Sequence, residues 1–428
     1  MSVEGWKNNS LISLLKILKS GGTPNTSQSN FYGGDIPFVA IEDMSASRKY
    51  LCSTVKSLTK EGIKNSNAWL VPQNSLLYSI YATLGLVRIN TIPVATNQAI
   101  LAMIVNDEMV DQDYLYYWLE YIRDSVVNLS AQTTQSNLSA TTVKPFVVQH
   151  PQNKQEQTQI ATILSTIDRA IEQTEALIAK QQRIKTGLMQ DLLTKGIDEN
   201  GNIRSEETHE FKDSPLGRIP VEWEVKRLGE TLEDITYGLT VRPKYVEEGI
   251  PLISAKECGN GSIDYESCNK IMQQDFKRLR ERSLPKYGDV LITKTGTLGR
   301  VARINQSDPY SAITQNVALL RPNIKIIRPE FLEIILNSEK IQKDIKDGVT
   351  VLSIPDIQLG VLAKFEFPIP SLNEQDKLIR QIEKFDADTL LNKKYLSKIK
   401  LLKTGLMQDL LTGKVRVTDL LNQKTATN

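Results

Sequence analysis

The chain has 428 residues, 40% of them hydrophobic and 24% charged, with a net charge of +2. This is the composition of a globular protein of two or three domains: it holds no run of about 18 apolar residues able to span a bilayer, and it is too near neutral to signal a nucleic-acid binder by charge alone. Three cysteines without CxxC spacing and two distant histidines, His150 and His209, argue against a disulfide framework or metal site, and a polar Met1–Ser10 argues against a secretory signal, so a cytoplasmic protein is expected.

Residues 1–153 read as a mixed α and β domain. Strands are expected at Ile36–Ile41, Ser75–Tyr81 and Ala99–Val105, between Gly, Asn and Pro turns. A helix is expected over Gln112–Val127, where Tyr114, Leu115, Trp118, Leu119 and Ile122 recur at helical spacing and read as core. Over 154–194 a three-four pattern of Ile160, Ile163, Ile167, Ala170, Leu177, Ile184 and Leu188 predicts one long amphipathic helix, with Thr174 and Gln181 interrupting its seam. Residues 195–222 are polar and turn-rich and read as a linker. A second mixed domain follows over 223–370, with strands at Asp289–Thr293 and Val317–Leu320 and a helix near Pro329–Ile345. A second long helix occupies 371–412, with polar Asp388 and Asn392 in its seam, and 413–428 reads as a tail.

The chain repeats itself. Lys185-Thr-Gly-Leu-Met-Gln-Asp-Leu-Leu-Thr194 returns letter for letter as Lys403-Thr-Gly-Leu-Met-Gln-Asp-Leu-Leu-Thr412. At the same offset Glu156-Gln157 aligns with Glu374-Gln375 and Asp168 with Asp386; further upstream Trp6, Gly21 and Thr23 match Trp223, Gly238 and Thr240, and Thr83-Leu84-Gly85 matches Thr297-Leu298-Gly299. The chain is therefore two copies of a divergent front and a shared rear. A helix of about 39 residues spans roughly 58 Å, and the linker is too short to retrace that length. The second helix is accordingly expected to run back antiparallel to the first, giving a rod with a globular domain at each end that would hold two binding sites at a set distance.

No GxxxxGK[ST] phosphate loop is present, and two histidines give no basis for nucleophile activation, so no catalysis is expected from this chain alone. For DNA, phosphates call for Lys and Arg, and base edges for Arg, Lys, Asn, Gln, Ser or Thr. The densest basic run is Lys277-Arg278-Leu279-Arg280-Glu281-Arg282, either a solvated helix face or a phosphate contact. Lys294, Thr295, Thr297 and Arg300 lie on a glycine-rich turn after a strand, with Tyr78, Tyr81, Thr83 and Arg88 as counterparts in the first front. Asn97 and Gln98, and Gln315 and Asn316, offer amides suited to adenine or to local caps. Gly187 and Gly405 sit inside helical stretches, where glycine costs about 1 kcal/mol relative to alanine. They mark either a kink or close approach of a partner, and with Leu188, Met189, Leu406 and Met407 they are the candidate partner-binding residues.

Several stretches together resemble the specificity subunits of type I restriction-modification systems. They are Phe211-Lys-Asp-Ser-Pro-Leu-Gly-Arg-Ile-Pro-Val-Glu-Trp223, Gly21-Gly-Thr-Pro24 with Gly34-Asp-Ile-Pro37, Lys294-Thr-Gly-Thr-Leu-Gly-Arg300 followed by Thr314-Gln-Asn-Val317, and Ile369-Pro-Ser-Leu-Asn-Glu-Gln375. The first front departs from the pattern at Ser79-Ile-Tyr-Ala-Thr-Leu-Gly85, and the second at Arg242-Pro243. The resemblance implies an α+β fold in which two mixed α/β target recognition domains with substantial β structure are separated by a long antiparallel two-helix coiled-coil spacer, as a pseudo-two-fold internal repeat. It implies that each front reads one half of an asymmetric bipartite double-stranded DNA target, in complex with two methyltransferase subunits and, for cleavage, restriction/translocase subunits. S-adenosylmethionine, ATP and Mg would belong to those partners, with no cofactor in this chain. Two rivals are an enzyme modifying DNA unaided, for which the chain lacks room and motif, and a coiled-coil scaffold that binds no DNA.

Overall fold

The structure, a computed structural model, describes residues 3–132, 137–259, 261–279, 281–348 and 355–418. Its contacts divide the chain into two units, one formed by the residues up to Ala176 with those from Lys393 onward, the other by Leu177–Asn392. The division runs through both long helices rather than between sequential domains. Each unit thus takes its front from one copy of the repeat and its helical segments from both.

In the first unit a five-stranded sheet runs in the order Leu15–Ser20, Ile100–Val105, Leu76–Ser79, Val87–Asn90, Tyr50–Leu51, beside a three-stranded sheet of Lys56–Leu58, Tyr32–Val39 and Ala95–Thr96. The central strands are apolar at nearly every position because both faces are covered. Leu76, Tyr78, Leu101 and Met103 face a core shared with the helix Gln112–Tyr121, while Leu77, Ile100 and Ala102 face Val39, Met44 and Leu51. The second unit repeats the plan. Its main sheet runs Leu232–Tyr237, Val317–Pro322, Val290–Thr293, Val301–Arg303, and its smaller sheet runs Tyr245–Val246, Asn269–Ile271, Ile250–Ile253, Ala312–Ile313. Val290 and Ile292 face one core and Leu291 the other, the same alternation.

The helices expected at 112–127 and 329–345 are each two helices. Gln112–Tyr121 and Arg123–Gln132 break at Ile122, and Pro329–Leu336 and Glu339–Asp347 break at Asn337–Ser338, where Ser338 caps the second helix. The long helices are Lys154–Thr194 and Leu372–Leu411. Within each unit their segments lie antiparallel. In the first, Asp168 pairs with Lys403 at 2.5 Å and Glu175 with Lys400 at 2.7 Å; in the second, Lys185 pairs with Asp386 at 2.5 Å and Asn392 donates to Gln181 at 3.1 Å. These polar pairs flank the seam, and Leu177 and Ile184, read from sequence as stripe residues, are 45% and 46% exposed. Asp388 is likewise exposed rather than in the seam, and Thr174 is buried there with its hydroxyl bonded to Ala170 O of its own helix.

Two segments expected to be loose are built into the units. Residues 195–222 hold a hairpin, Phe211–Ser214 with Gly217–Pro220, and bury Ile197 and Ile219 in the second unit's core. Of the expected tail, Gly413 lies against Trp6 and Val417 is buried; residues 419–428 lie outside the described residues.

Both segments latch a helix start. Past the end of the second long helix, Arg416 forks onto Glu156 at 2.6 and 2.8 Å, and Glu156 is 1% exposed. Past the end of the first, Arg204 forks onto Glu374, which also accepts from Ile197 N and Trp223 Nε1, each at 3.0 Å. The next residue performs one task in both units. Gln157 accepts from Asp111 N and donates to Pro151 O, and Gln375 accepts from Arg328 N and donates to Pro370 O, all between 2.7 and 3.0 Å. Each glutamine thereby ties the long helix to the start of an earlier domain helix, Gln112–Tyr121 or Pro329–Leu336. Removing one partner of such a buried fork strands a charge, at a cost on the order of 3 kcal/mol. Arg416→Ala is expected to lower the unfolding free energy by about that amount, measured by urea unfolding of the full chain, whereas Lys414→Ala, at an exposed residue paired with Asp409, should change it by less than about 0.5 kcal/mol.

Candidate nucleic-acid interface

At one edge of each main sheet three loops converge. In the first unit they follow Leu15–Ser20, follow Leu76–Ser79, and precede Ile100–Val105. They are held to one another by Gly22 N donating to Thr96 O at 3.0 Å and Ile80 N to Ala99 O at 2.9 Å. Gly21 is required: a Cβ there would lie 1.8 Å from Thr96 O. In the second unit Leu239 N donates to Ile313 O at 2.8 Å, Gln315 N to Leu239 O at 2.9 Å and Lys294 N to Asn316 O at 2.9 Å.

The middle loop is the repeated turn. Ser79 Oγ accepts from Leu86 N at 3.1 Å and donates to Thr83 O, and Thr293 Oγ1 accepts from Arg300 N at 2.9 Å, so a hydroxyl at the strand end closes each turn. Gly85 and Gly299 are left-handed at φ +72° and +76°; Ala82 is left-handed at +56° where the second unit has Gly296 at +83°. The identical Thr-Leu-Gly letters therefore encode a backbone shape.

The structure divides the candidate residues. Tyr81, Gln98, Thr297 and Gln315 are exposed at these edges, with Thr83 and Asn316 half-buried. Gln98 accepts from Thr23 at 2.5 Å, and Asn97 caps its own loop by accepting from Ala99 N at 3.0 Å. Tyr78 is fully buried, its hydroxyl without a partner among the described residues, and burial pushes the phenol well above its ordinary range; it is core, not a DNA contact. Arg88 is also turned inward, donating to Met44 O and Ser47 O at 3.0 and 2.9 Å and facing Glu120 at 3.6 Å, with burial lowering its pKa. Both lie on strands whose two faces are covered, which local letters do not reveal.

In the second unit Lys294 pairs with Asp356 at 2.7 Å, and Thr295 donates to the same oxygen at 2.5 Å. Burial alone would raise the Asp356 carboxyl, but these hydrogen bonds and the Lys294 charge hold it below its ordinary value. Arg300 donates to Ala255 O and Cys258 O at 3.5 and 3.4 Å, bracing the loop. Lys277, Arg278 and Arg282 are exposed, Arg278 beside Asp275 at 3.0 Å and Arg282 beside Asp234 at 3.7 Å; Arg280 lies outside the described residues. Arg278 and Arg282 form one wall of a groove whose other wall is Tyr237, Gly238 and Thr240. The basic run and the sheet-edge loops therefore share one surface.

On the long helices, a Cβ at Gly187 or Gly405 would meet nothing within 4 Å, so the glycines face outward. Leu188 and Met189 pack on the second unit's core and Leu406 and Met407 on the first's, so these four serve mainly their own units. Sequence reasoning missed the arginines that latch Glu156 and Glu374. The repeated Glu-Gln letters were the available signal.

Two bodies of one plan, each presenting a variable loop edge above a shared turn and each closed by paired long helices, define a duplicated recognition scaffold. Residues 3–181 and 220–401 match the family described as the type I restriction modification DNA specificity domain, and the chain belongs to that family. It is 25% identical over 413 residues to the type I restriction enzyme MjaIX specificity subunit of Methanocaldococcus jannaschii, covering 94% of this chain and 91% of that one. It is 24% identical over 303 residues to the EcoBI specificity subunit of Escherichia coli, covering 69% and 63%. A chain from a solved type I R-M assembly shares its fold at a TM-score of 0.64 and 15% identity, covering 97% of this chain and 100% of that one; the S subunit from M. genitalium does so at 0.55 and 18%, covering 96% and 99%. The chain's function is DNA sequence specificity, and the scaffold reading is disfavoured. Among the described residues no helix is long and apolar enough to cross a membrane.

Two substitutions test the placement of these residues. Ala82→Gly removes a left-handed alanine costing about 1–2 kcal/mol, partly offset by glycine's greater unfolded-state freedom. A net stabilisation of about 0.5–1 kcal/mol is expected in denaturant unfolding. Tyr78→Phe removes a buried hydroxyl that lacks a partner, so stability should hold or rise by about 1 kcal/mol, with no change in the DNA sequence recognised, as read by methylation mapping.

Proposed function

We propose that each unit reads one half of an asymmetric, bipartite double-stranded DNA target, and that this chain is the non-catalytic recognition subunit of a type I restriction-modification complex. One observation carries the reading: the two units share a backbone plan down to the hydroxyl-closed turn and its common threonine, Thr83 and Thr297, yet differ in the exposed side chains around it. The first offers Tyr81 and Gln98, the second Gln315 and the basic groove of Arg278 and Arg282. A shared frame with different edge chemistry suits two different half-sites, since base edges are distinguished by the donors and acceptors that meet them.

In this reading the long helices set the spacing between half-sites and carry docking surfaces for two methyltransferase subunits, with outward-facing Gly187 and Gly405 allowing close approach. Restriction/translocase subunits join for cleavage. S-adenosylmethionine, ATP and Mg are held by those partners and support adenine methylation or DNA cleavage there; the chain's own residues bind and orient DNA. The name of the MjaIX relative, a type I restriction enzyme specificity subunit, supports the assignment.

The test is genome-wide adenine-methylation mapping in cells expressing the full chain with its methyltransferase, against a deletion control. A split motif that depends on the chain is expected. Replacing residues 1–153 with the front of another specificity subunit should change one half of the motif and leave the other; alteration of both halves would overturn the modular reading.

A further inference from the structure

The loop after Leu232–Tyr237 differs from its counterpart in the first unit. Gly238-Leu-Thr-Val-Arg-Pro243 is two residues longer than Gly21-Gly-Thr-Pro24, and the extra length carries Val241 and Arg242. The loop base is rigid: Leu239 is hydrogen-bonded in both directions, to Ile313 O at 2.8 Å and from Gln315 N at 2.9 Å, and a Cβ on Gly238 would lie 1.7 Å from Ile313 O. Pro243 restricts Arg242 to extended backbone. Arg242 is exposed, and its guanidinium lies over the Tyr245 ring, 5.6 Å from the centroid. Tyr245 is itself positioned by its strand pairing with Ile271.

What sets Arg242 apart is what it does not bind. Six other described arginines of the second front pair with carboxylates, and Arg300 donates to two carbonyls. Among the described residues Arg242 forms no ion pair and no hydrogen bond, so its five donors are uncommitted while the guanidinium lies over an aromatic ring. A planar fork with free donors suits a pair of acceptors in one plane, such as O6 and N7 of guanine in the major groove. Gln315, hydrogen-bonded to the same loop, and the groove wall of Arg278 and Arg282 place it at the recognition edge.

We propose that Arg242 is a specificity-determining residue that reads one guanine in the half-site met by the second unit, with Tyr245 as its positioning residue. This rests on the DNA-reading function proposed above. The test is adenine-methylation mapping with the full chain and its methyltransferase, comparing wild type with Arg242→Gln, Arg242→Lys, Tyr245→Phe and Tyr245→Ala. Arg242→Gln and Arg242→Lys should make one G·C position of one half-site degenerate, with discrimination there falling about ten- to a hundredfold, while the other half stays intact. Tyr245→Phe, which keeps the ring, should retain the motif, and Tyr245→Ala should weaken the same position. Arg242 is exposed and, among the described residues, forms no ion pair or hydrogen bond, so its variants should match wild type in thermal unfolding. An unchanged motif, whether methylation stays normal or falls evenly across sites with a shallower salt dependence of DNA binding, would overturn base reading, the second result indicating a phosphate contact. Absence of any split motif with the wild-type chain would sink the DNA-reading proposal itself; a wild-type motif that the variants leave unchanged sinks only the role of Arg242.

Discussion

A carboxylate buried in the first turn of each long helix governs how each unit is assembled. Glu156 and Glu374 lie where the helix dipole favours negative charge, yet both are almost wholly removed from water and are tolerated only because an arginine from beyond the end of the other long helix forks onto them. The neighbouring glutamine joins the helix start to the domain helix and to the strand before it. A three-way junction results, in which the rear of one repeat is bolted to the front of the other. The junctions differ at the tryptophan: Trp223 donates to Glu374, whereas the Trp6 indole N–H has no partner among the described residues.

The long helices extend this exchange. Asp168 and Asp386 are repeat equivalents, as are Lys185 and Lys403, and the ion pairs form between copies: Lys403 with Asp168 in the first unit, Lys185 with Asp386 in the second. Both lysines belong to the ten-residue identity, so part of that identity reflects a repeat pairing with itself. Partly exposed ion pairs add little stability; their use here is register, because a slip would set like charges and apolar groups opposite one another. The first front is also pinned sideways to its helices. Arg48 shares Glu175 with Lys400, and Tyr117 donates to Asp168 at 2.8 Å.

This bracing explains how one backbone plan can hold unlike recognition edges. The sheets, the hydroxyl-closed turns and the glycines without room for a Cβ are shared, and they decide where a loop tip stands. The residues at the tips are free to diverge because little else leans on them. Polar residues on the strands and turns that carry the tips are not free: Arg88 knits Met44 and Ser47 to its strand, and Lys294 is committed to Asp356. Chemical suitability for DNA is thus a poor guide without knowledge of which side of the strand a residue occupies.

Much of the architecture was legible in the letters, because repetition and periodicity are properties of the linear chain. The duplication, the two long helices, the main strands and the glycine-marked turns all follow from spacing alone. Three things did not. The helix seam was misplaced by about one position at Leu177 and Ile184, since the facing of the two helices is set in part by charged residues whose partners lie more than 200 residues away in sequence. Segments 195–222 and 413–417 read as loose because their composition is polar, although each carries an arginine whose buried partner appears only on folding. The candidate interface was identified by chemical type, but whether Tyr78 and Arg88 faced outward, and whether Arg242 kept its donors uncommitted, depended on the layers stacked on either side of each sheet. Those layers are long-range contacts, and only the tertiary structure decides them.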